Sequence, residues 1–181
     1  MVHFLVDQDG VIADWGAGVI RSAIAKYPHI NFPFVKDGFT NWDIEHGLDP
    51  EGIEAINIIK NMPGLYAEFD PIPGAIKALH EMVAEGHDVS ICTSPTKTNP
   101  TCASDKLDWL ERHAGSGWAE RAIITSDKTI AMGDYLIDDK TDIKGLYEPV
   151  WEHVIFTQDY NKHVNDGRLR LDKWADWRNI L

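Results

Sequence analysis

The stretch HFLVDQDGVIADW, residues 3–15, decides the fold. A short apolar run, His3 to Val6, ends at two aspartates one residue apart, Asp7 and Asp9, followed by Gly10. The run is near-continuous rather than alternating, as expected of a strand buried on both faces of a parallel sheet. Two like charges at the end of such a strand call for a counter-charge, because crowded carboxylates cannot all stay ionised without one.

Four more runs of the same kind follow: DVSIC (88–92), RAIIT (121–125), YLI (135–137) and HVIFT (153–157). Helical patterns lie between them. Ile76, Leu79, Met82 and Val83 form one stripe, with Pro73 in the first turn and Gly86 at the end. A second helix spans about 104–113, with Leu107 and Leu110 on one face, and a short one follows Lys128. Alternating strands and helices predict right-handed crossovers and a doubly wound α/β core.

Residues 14–72 break that rhythm. A helical face carries Trp15, Val19 and Ala23, then comes the polar, aromatic stretch YPHINFPFVKDGFTNWDIEHG, then a helix opened by Asp49-Pro50 with Ile53, Ile56 and Ile59. This segment reads as a helical insert, a cap at 14–72 on a core made of 1–13 and 73–181. The tail RLRLDKWADWRNIL reads as a strand fragment plus a short helix, with Trp174 and Trp177 as packing residues.

In an open parallel sheet, ligands bind at the carboxyl ends of the strands. Polar residues sit there after four runs: Asp7 and Asp9, Thr93 and Ser94, Lys128, and Asp138 and Asp139. Each alone is weak evidence. A lone D-x-D-G is usually a turn, and a lysine usually a surface residue. Their ordered appearance after separate strands is what argues for one site. Four carboxylates fit a hard divalent cation, and Mg²⁺ takes one or two carboxylates together with substrate phosphate. Lys128 and the hydroxyls then face phosphate oxygens.

This motif order resembles that of the haloacid dehalogenase (HAD) superfamily of phosphotransferases. ICTSP with Lys97 close behind, ITSDKT, LIDDKTDI, WEHVIFT and FDPIPGA are similar to the 5'(3')-deoxyribonucleotidase family over roughly 1–13 and 68–165. The insert looks like that family's small helical cap. The resemblance implies Asp7 as nucleophile and Asp9 as acid/base. It implies a Mg²⁺ site of Asp7, the Asp9 backbone carbonyl, Asp138 and Asp139. Thr93, Ser94 and Lys128 would bind phosphate, with Lys97 a further candidate. Trp15, Phe39, Trp42 and Tyr66 are candidates for the base or sugar. The chain departs from the family pattern TRDKT at Ser126, which removes a cationic contact near the substrate.

The implied activity is a Mg²⁺-dependent phosphomonoesterase acting on deoxyribonucleoside monophosphates. The alternatives are a related phosphatase for a sugar phosphate or a polynucleotide 3'-phosphate end, and a nucleotide-binding module without chemistry. A net charge of -12, from 17 basic and 29 acidic residues, argues against a nucleic-acid polymer partner. No stretch is apolar and long enough to span a bilayer, so no membrane role is expected. The N-terminus shows no secretory pattern, and Cys92 and Cys102 belong to no metal motif, so the expected setting is the reducing cytoplasm. The resemblance also suggests a homodimer.

Overall fold

The computed structural model describes residues 1–34 and 40–181. Six strands form one all-parallel sheet: β1 (His3–Val6), β2 (Asp88–Thr93), β3 (Ala122–Ile124), β4 (Tyr135–Asp138), β5 (Glu152–Phe156) and β6 (Arg170–Leu171). Their order is β3-β2-β1-β4-β5-β6. The central strand β1 pairs Phe4 with Val89 on one side and with Tyr135 on the other. Successive β1 side chains enter different hydrophobic clusters: Phe4 and Val6 the larger, Leu5 the smaller. Both faces of the strand are therefore apolar, which explains the unbroken run in the sequence.

From β1 the chain winds outward to β2 and β3, then returns to β4 beside β1 and winds the other way. The β1–β4 border is thus the topological switch point, where the connections diverge and leave a crevice. The amide of Asp7 donates to the carbonyl of Ile137 at 2.9 Å, so the ladder holds as far as the first carboxylate. Gly10 adopts φ 73°, and a Cβ there would lie 2.6 Å from Asp139 Oδ2. Only glycine lets the chain turn away at this point without displacing that carboxylate.

The helices are α1 (Trp15–Lys26), α2 (Pro50–Lys60), α3 (Ala75–Ala84) and α4 (Cys102–His113) among the described residues. Asp14 caps α1 by accepting from the Ala17 amide at 3.0 Å, and Asp49 caps α2 by accepting from the Gly52 amide at 2.8 Å. These two helices belong to the 14–72 segment. Val19 and Ala23 of α1 join Ala55, Ile56 and Ile59 of α2 in the same cluster that covers Phe4 and Val6. Helix α3 buries Ala75, Ala78, Leu79 and Met82, with Ile76 and Val83 at the margins of the stripe. Helix α4 buries Cys102, Asp105, Lys106, Trp109 and Leu110, so its inward face lies one residue away from the expected Leu107.

Strand–helix alternation stops after β3. The 125–134 connection holds only a 3₁₀ turn, Lys128–Ile130, and no α-helix occurs between β4 and β5. The sheet face carrying Leu5, Cys92 and Leu136 is covered instead by Ala131 and Trp151, with Ile123 and Ile143 against them. The tail forms β6 and a 3₁₀ segment, Trp174–Ile180. Trp174 donates its indole N–H to the Val11 carbonyl at 2.8 Å, and Trp177 is wholly buried with its ring edge-on to Phe4. Fully burying one large apolar side chain contributes about 1.5–3 kcal/mol, so the tail fastens the β1 loop as well as ending the chain.

Candidate active site

The crevice at the switch point gathers Asp7, Asp138 and Asp139. Each offers a carboxylate oxygen, all lying within 4.8 Å of one another. Lys128 enters from the β3–β4 connection, its Nζ 2.8 Å from Asp7 Oδ1 and 2.5 Å from Asp138 Oδ2. That lysine is placed by its backbone: the Asp127 carboxylate accepts from the Thr129 amide at 2.9 Å, and the Trp151 indole donates to the Lys128 carbonyl at 3.2 Å. Asp138 Oδ1 accepts from the Lys140 amide at 2.8 Å, and the Tyr160 hydroxyl donates to Asp139 Oδ2.

Burial dominates the electrostatics. It raises the Asp138 carboxyl to about 6 despite Lys128. Burial, then the neighbouring Asp138 and Asp7, raises Asp139 well above the usual carboxylate range. Burial works against the charge on Lys128, but Asp7 and Asp138 outweigh it and hold the ammonium above its ordinary range. Three buried carboxylates sharing one ammonium leave a surplus of negative charge in a set of hard oxygen donors. That set fits Mg²⁺ by charge and by donor chemistry.

Asp9 stands apart from this cluster. Its carboxylate lies 2.8 Å from Nζ of Lys106, which also donates to Thr93 Oγ1 at 2.6 Å. Burial raises the Asp9 carboxyl and Lys106 opposes that rise. The structure therefore separates the two motif aspartates, Asp7 beside Lys128 and Asp9 beside Lys106. No side-chain oxygen of Asp9 belongs to the three-carboxylate group.

A cavity of about 560 Å³ opens above these groups, walled on the other side by α1, α2 and the 41–44 segment. Asp7, Asp9, Thr93, Ser94, Lys128, Asp138 and Asp139 line its floor, and Trp15 and Trp42 its upper wall. Ser94 points its hydroxyl to the Thr125 carbonyl at 2.9 Å. Ser126 lines the cavity where the family pattern has arginine. Lys140 places Nζ 5.3 Å from the Trp42 ring centroid, joining the sheet side of the cavity to the helical side.

Two expected residues are not brought in. Tyr66 is 1% exposed, and its ring is buried against Phe69, with Lys106 Nζ 5.7 Å from its centroid. It is not among the cavity-lining side chains, and its hydroxyl is bound at 2.6 Å to Thr96, which does line the cavity. Lys97 is exposed and also absent from the cavity wall. Phe39 lies outside the described residues.

Sequence reasoning missed Lys106, Tyr160 and Lys140. Lys106 had a signal: it lies four residues after Cys102 and three and four before Trp109 and Leu110, on the helix face that turns inward. A lysine on a buried face requires a partner. Tyr160 had no signal, because only folding brings the loop after β5 to Asp139.

The whole chain, residues 1–181, matches the family described as 5' nucleotidase, deoxy (pyrimidine), cytosolic type C protein. It is 39% identical over 188 residues to the human cytosolic-type 5'(3')-deoxyribonucleotidase, covering 99% of this chain and 93% of the relative. It is also 39% identical over 187 residues to the mouse mitochondrial 5'(3')-deoxyribonucleotidase, covering 99% and 85%. Among solved structures, a HAD family hydrolase from Deinococcus radiodurans with bound phosphate and sodium superposes with TM-score 0.58 at 14% identity, covering 99% and 94%. The magnesium-bound HAD-hydrolase YfnB from Bacillus subtilis gives 0.60 at 11%, covering 99% and 98%. At such identities these two speak for the fold. With the sequence relatives beside them, the chain belongs to the 5'(3')-deoxyribonucleotidase family and has the HAD hydrolase fold.

Proposed function

We propose that this protein is a Mg²⁺-dependent phosphomonoesterase that hydrolyses deoxyribonucleoside monophosphates through an aspartyl-phosphate. The observation that carries the reading is the meeting of Asp7, Asp138, Asp139 and Lys128 on the floor of one cavity under a helical wall. Residues 14–72 act as the cap and the remainder as the core. Mg²⁺, held by Asp7, Asp138 and Asp139 and by the Asp9 backbone carbonyl, would supply electrophilic activation of the phosphoryl group.

The chain's own residues perform the transfer. A carboxylate oxygen of Asp7 forms a bond to phosphorus as the bond to the ribose oxygen breaks. The electron pair goes to that ribose oxygen, which takes a proton from the Asp9 carboxyl. Asp9, now a carboxylate, then accepts a proton from water as the water oxygen bonds to phosphorus. The Asp7 carboxylate leaves and phosphate is released. Thr93 and Lys128 hold the equatorial phosphoryl oxygens, and Ser94, whose hydroxyl hydrogen goes to the Thr125 carbonyl, offers its backbone amide. Trp15 and Trp42 present rings to the sugar and base, with Phe39 a third candidate. A set of deoxyribonucleoside 5'- and 3'-monophosphates, ribonucleotides and sugar phosphates, ranked by kcat/KM, tests this reading. A preference for non-nucleotide esters would overturn it.

The same reading includes a homodimer in the cytoplasm. Ile130, Met132, Leu146 and Tyr147 are exposed. The amides of Leu146 and Tyr147 bond Asp127 and Thr129, which brings them beside Ile130 and Met132. Exposed apolar side chains grouped in this way support pairing with a second copy. A monomeric mass by light scattering overturns it. Both cysteines are free and buried, in keeping with a reducing compartment. No helix among the described residues is long and apolar enough to cross a membrane.

A further inference from the structure

We propose that Lys106 is a positioning residue that sets both the orientation of Asp9 and the direction of the Thr93 hydroxyl proton. The inference rests on the reading of Asp9 as acid/base. Lys106 comes from α4, outside the strand-end motifs, and its side chain is 1% exposed. An ammonium has three N–H donors and no acceptor. Here they meet three partners: the Asp9 carboxylate at 2.8 Å, Thr93 Oγ1 at 2.6 Å, and the face of Tyr66 at 5.7 Å. The helix turn beneath is tied to the motif strand, because Gln8 Nε2 donates to the Lys106 carbonyl at 3.2 Å.

The Lys106 ammonium constrains the Thr93 hydroxyl. Its oxygen can only accept from Lys106, so its single hydroxyl hydrogen must point elsewhere. No hydrogen bond from that hydroxyl to a protein acceptor occurs among the described residues, and Thr93 lines the cavity. Lys106 therefore turns an ambivalent hydroxyl into a donor aimed at the phosphoryl oxygens. The same ammonium fixes one oxygen of Asp9, leaving the other to reach the leaving group and later the water. One cation thus couples phosphate binding to proton transfer.

The test compares wild type, K106M and D9N on a deoxyribonucleoside 5'-monophosphate and on p-nitrophenyl phosphate, whose leaving group departs without a proton. General acid–base assistance contributes about 10²–10⁴-fold. K106M is expected to lose roughly 100-fold in kcat on the nucleotide. On p-nitrophenyl phosphate it should release one equivalent of nitrophenolate per site in a burst, then turn over slowly, because only the second step still needs Asp9. K106Q keeps N–H donors without the charge, so it should hold KM near wild type while kcat falls. It also serves as the reporter if circular dichroism shows K106M unfolded. Nucleotide turnover within threefold of wild type in a folded variant overturns the inference, as does an equal loss on both esters with no burst. D9N separates the two layers. If D9N is inactive on the nucleotide and K106M is not, the role of Lys106 alone is refuted. If D9N turns over like wild type, the acid/base assignment fails and takes this inference with it.

Discussion

Asp7, at the end of β1, and Asp139, just past β4, each carry a carboxylate oxygen within 4.8 Å of the other and of Asp138. The sequence separates them by most of the chain, and the parallel register of β1 and β4 brings them together. This closeness has a titration consequence. Burial raises Asp138 to about 6, and burial together with the neighbouring Asp138 and Asp7 raises Asp139 well above its ordinary value. A protonated carboxyl does not ligate Mg²⁺, so protons and metal compete. Mg²⁺ affinity is expected to fall as pH drops from 7.5 through 6, by about tenfold or more over that range. Calorimetric titration at several pH values checks it, and a flat affinity would contradict the arrangement. EDTA should abolish phosphate release, and added Mg²⁺ should restore it.

Trp42 is half-exposed on the cavity wall, with Lys140 over its ring. Stacking a base on an aromatic side chain is worth about 1–3 kcal/mol. W42A is therefore expected to raise KM for deoxynucleotides about tenfold, with a smaller change in kcat. On p-nitrophenyl phosphate, which has no nucleobase, KM should move much less. Steady-state kinetics on both esters reads the difference, and equal shifts would remove Trp42 from base recognition.

His153 supplies a stability prediction away from the site chemistry. Burial first, and Arg168 second, lowers it to about 4. Arg168 Nη1 donates to its Nδ1 at 2.8 Å. An unfolded histidine titrates near 6.5, so between 6.5 and 4 the unfolded chain binds the extra proton. This contribution is present above pH 6.5 and is lost as pH falls towards 4. Asp138, raised in the folded state, contributes with the opposite sign, and a comparison with H153Q removes that common part. From pH 7 to 4.5, wild type should lose roughly 1–2 kcal/mol more than H153Q in urea unfolding, after allowance for partial exposure. Parallel losses would show that His153 titrates normally.

The strands and their order of use were legible because parallel strands buried on both faces must be apolar throughout, as in Phe4–Val6 and Leu136–Ile137. The polar residues that end them were legible for the same reason: Asp7 and Asp138 close runs that are apolar up to that point. The cavity wall was less so. Tyr66 and Trp42 look alike in sequence, yet one is closed in by Phe69 and the other faces the cavity. Which aromatic is exposed depends on how α1 and α2 settle on the sheet, and local spacing does not encode that. Lys106 was hidden within a charged helix, where its burial follows from the one-residue rotation of α4 that turns Leu107 partly outward. The missing crossover helix after β3 also escaped, because Lys128–Ile130 carries a helical signal yet forms only a single 3₁₀ turn.

The central claim is that Asp7 carries the phosphoryl group. D9N supplied with p-nitrophenyl phosphate and Mg²⁺ should accumulate the intermediate, since its formation needs no acid and its hydrolysis needs the missing base. Rapid quenching followed by peptide mass spectrometry is expected to place phosphate on Asp7, and D7N/D9N should show none. Phosphate on another residue, or phosphoenzyme unaffected by D7N, would contradict the account.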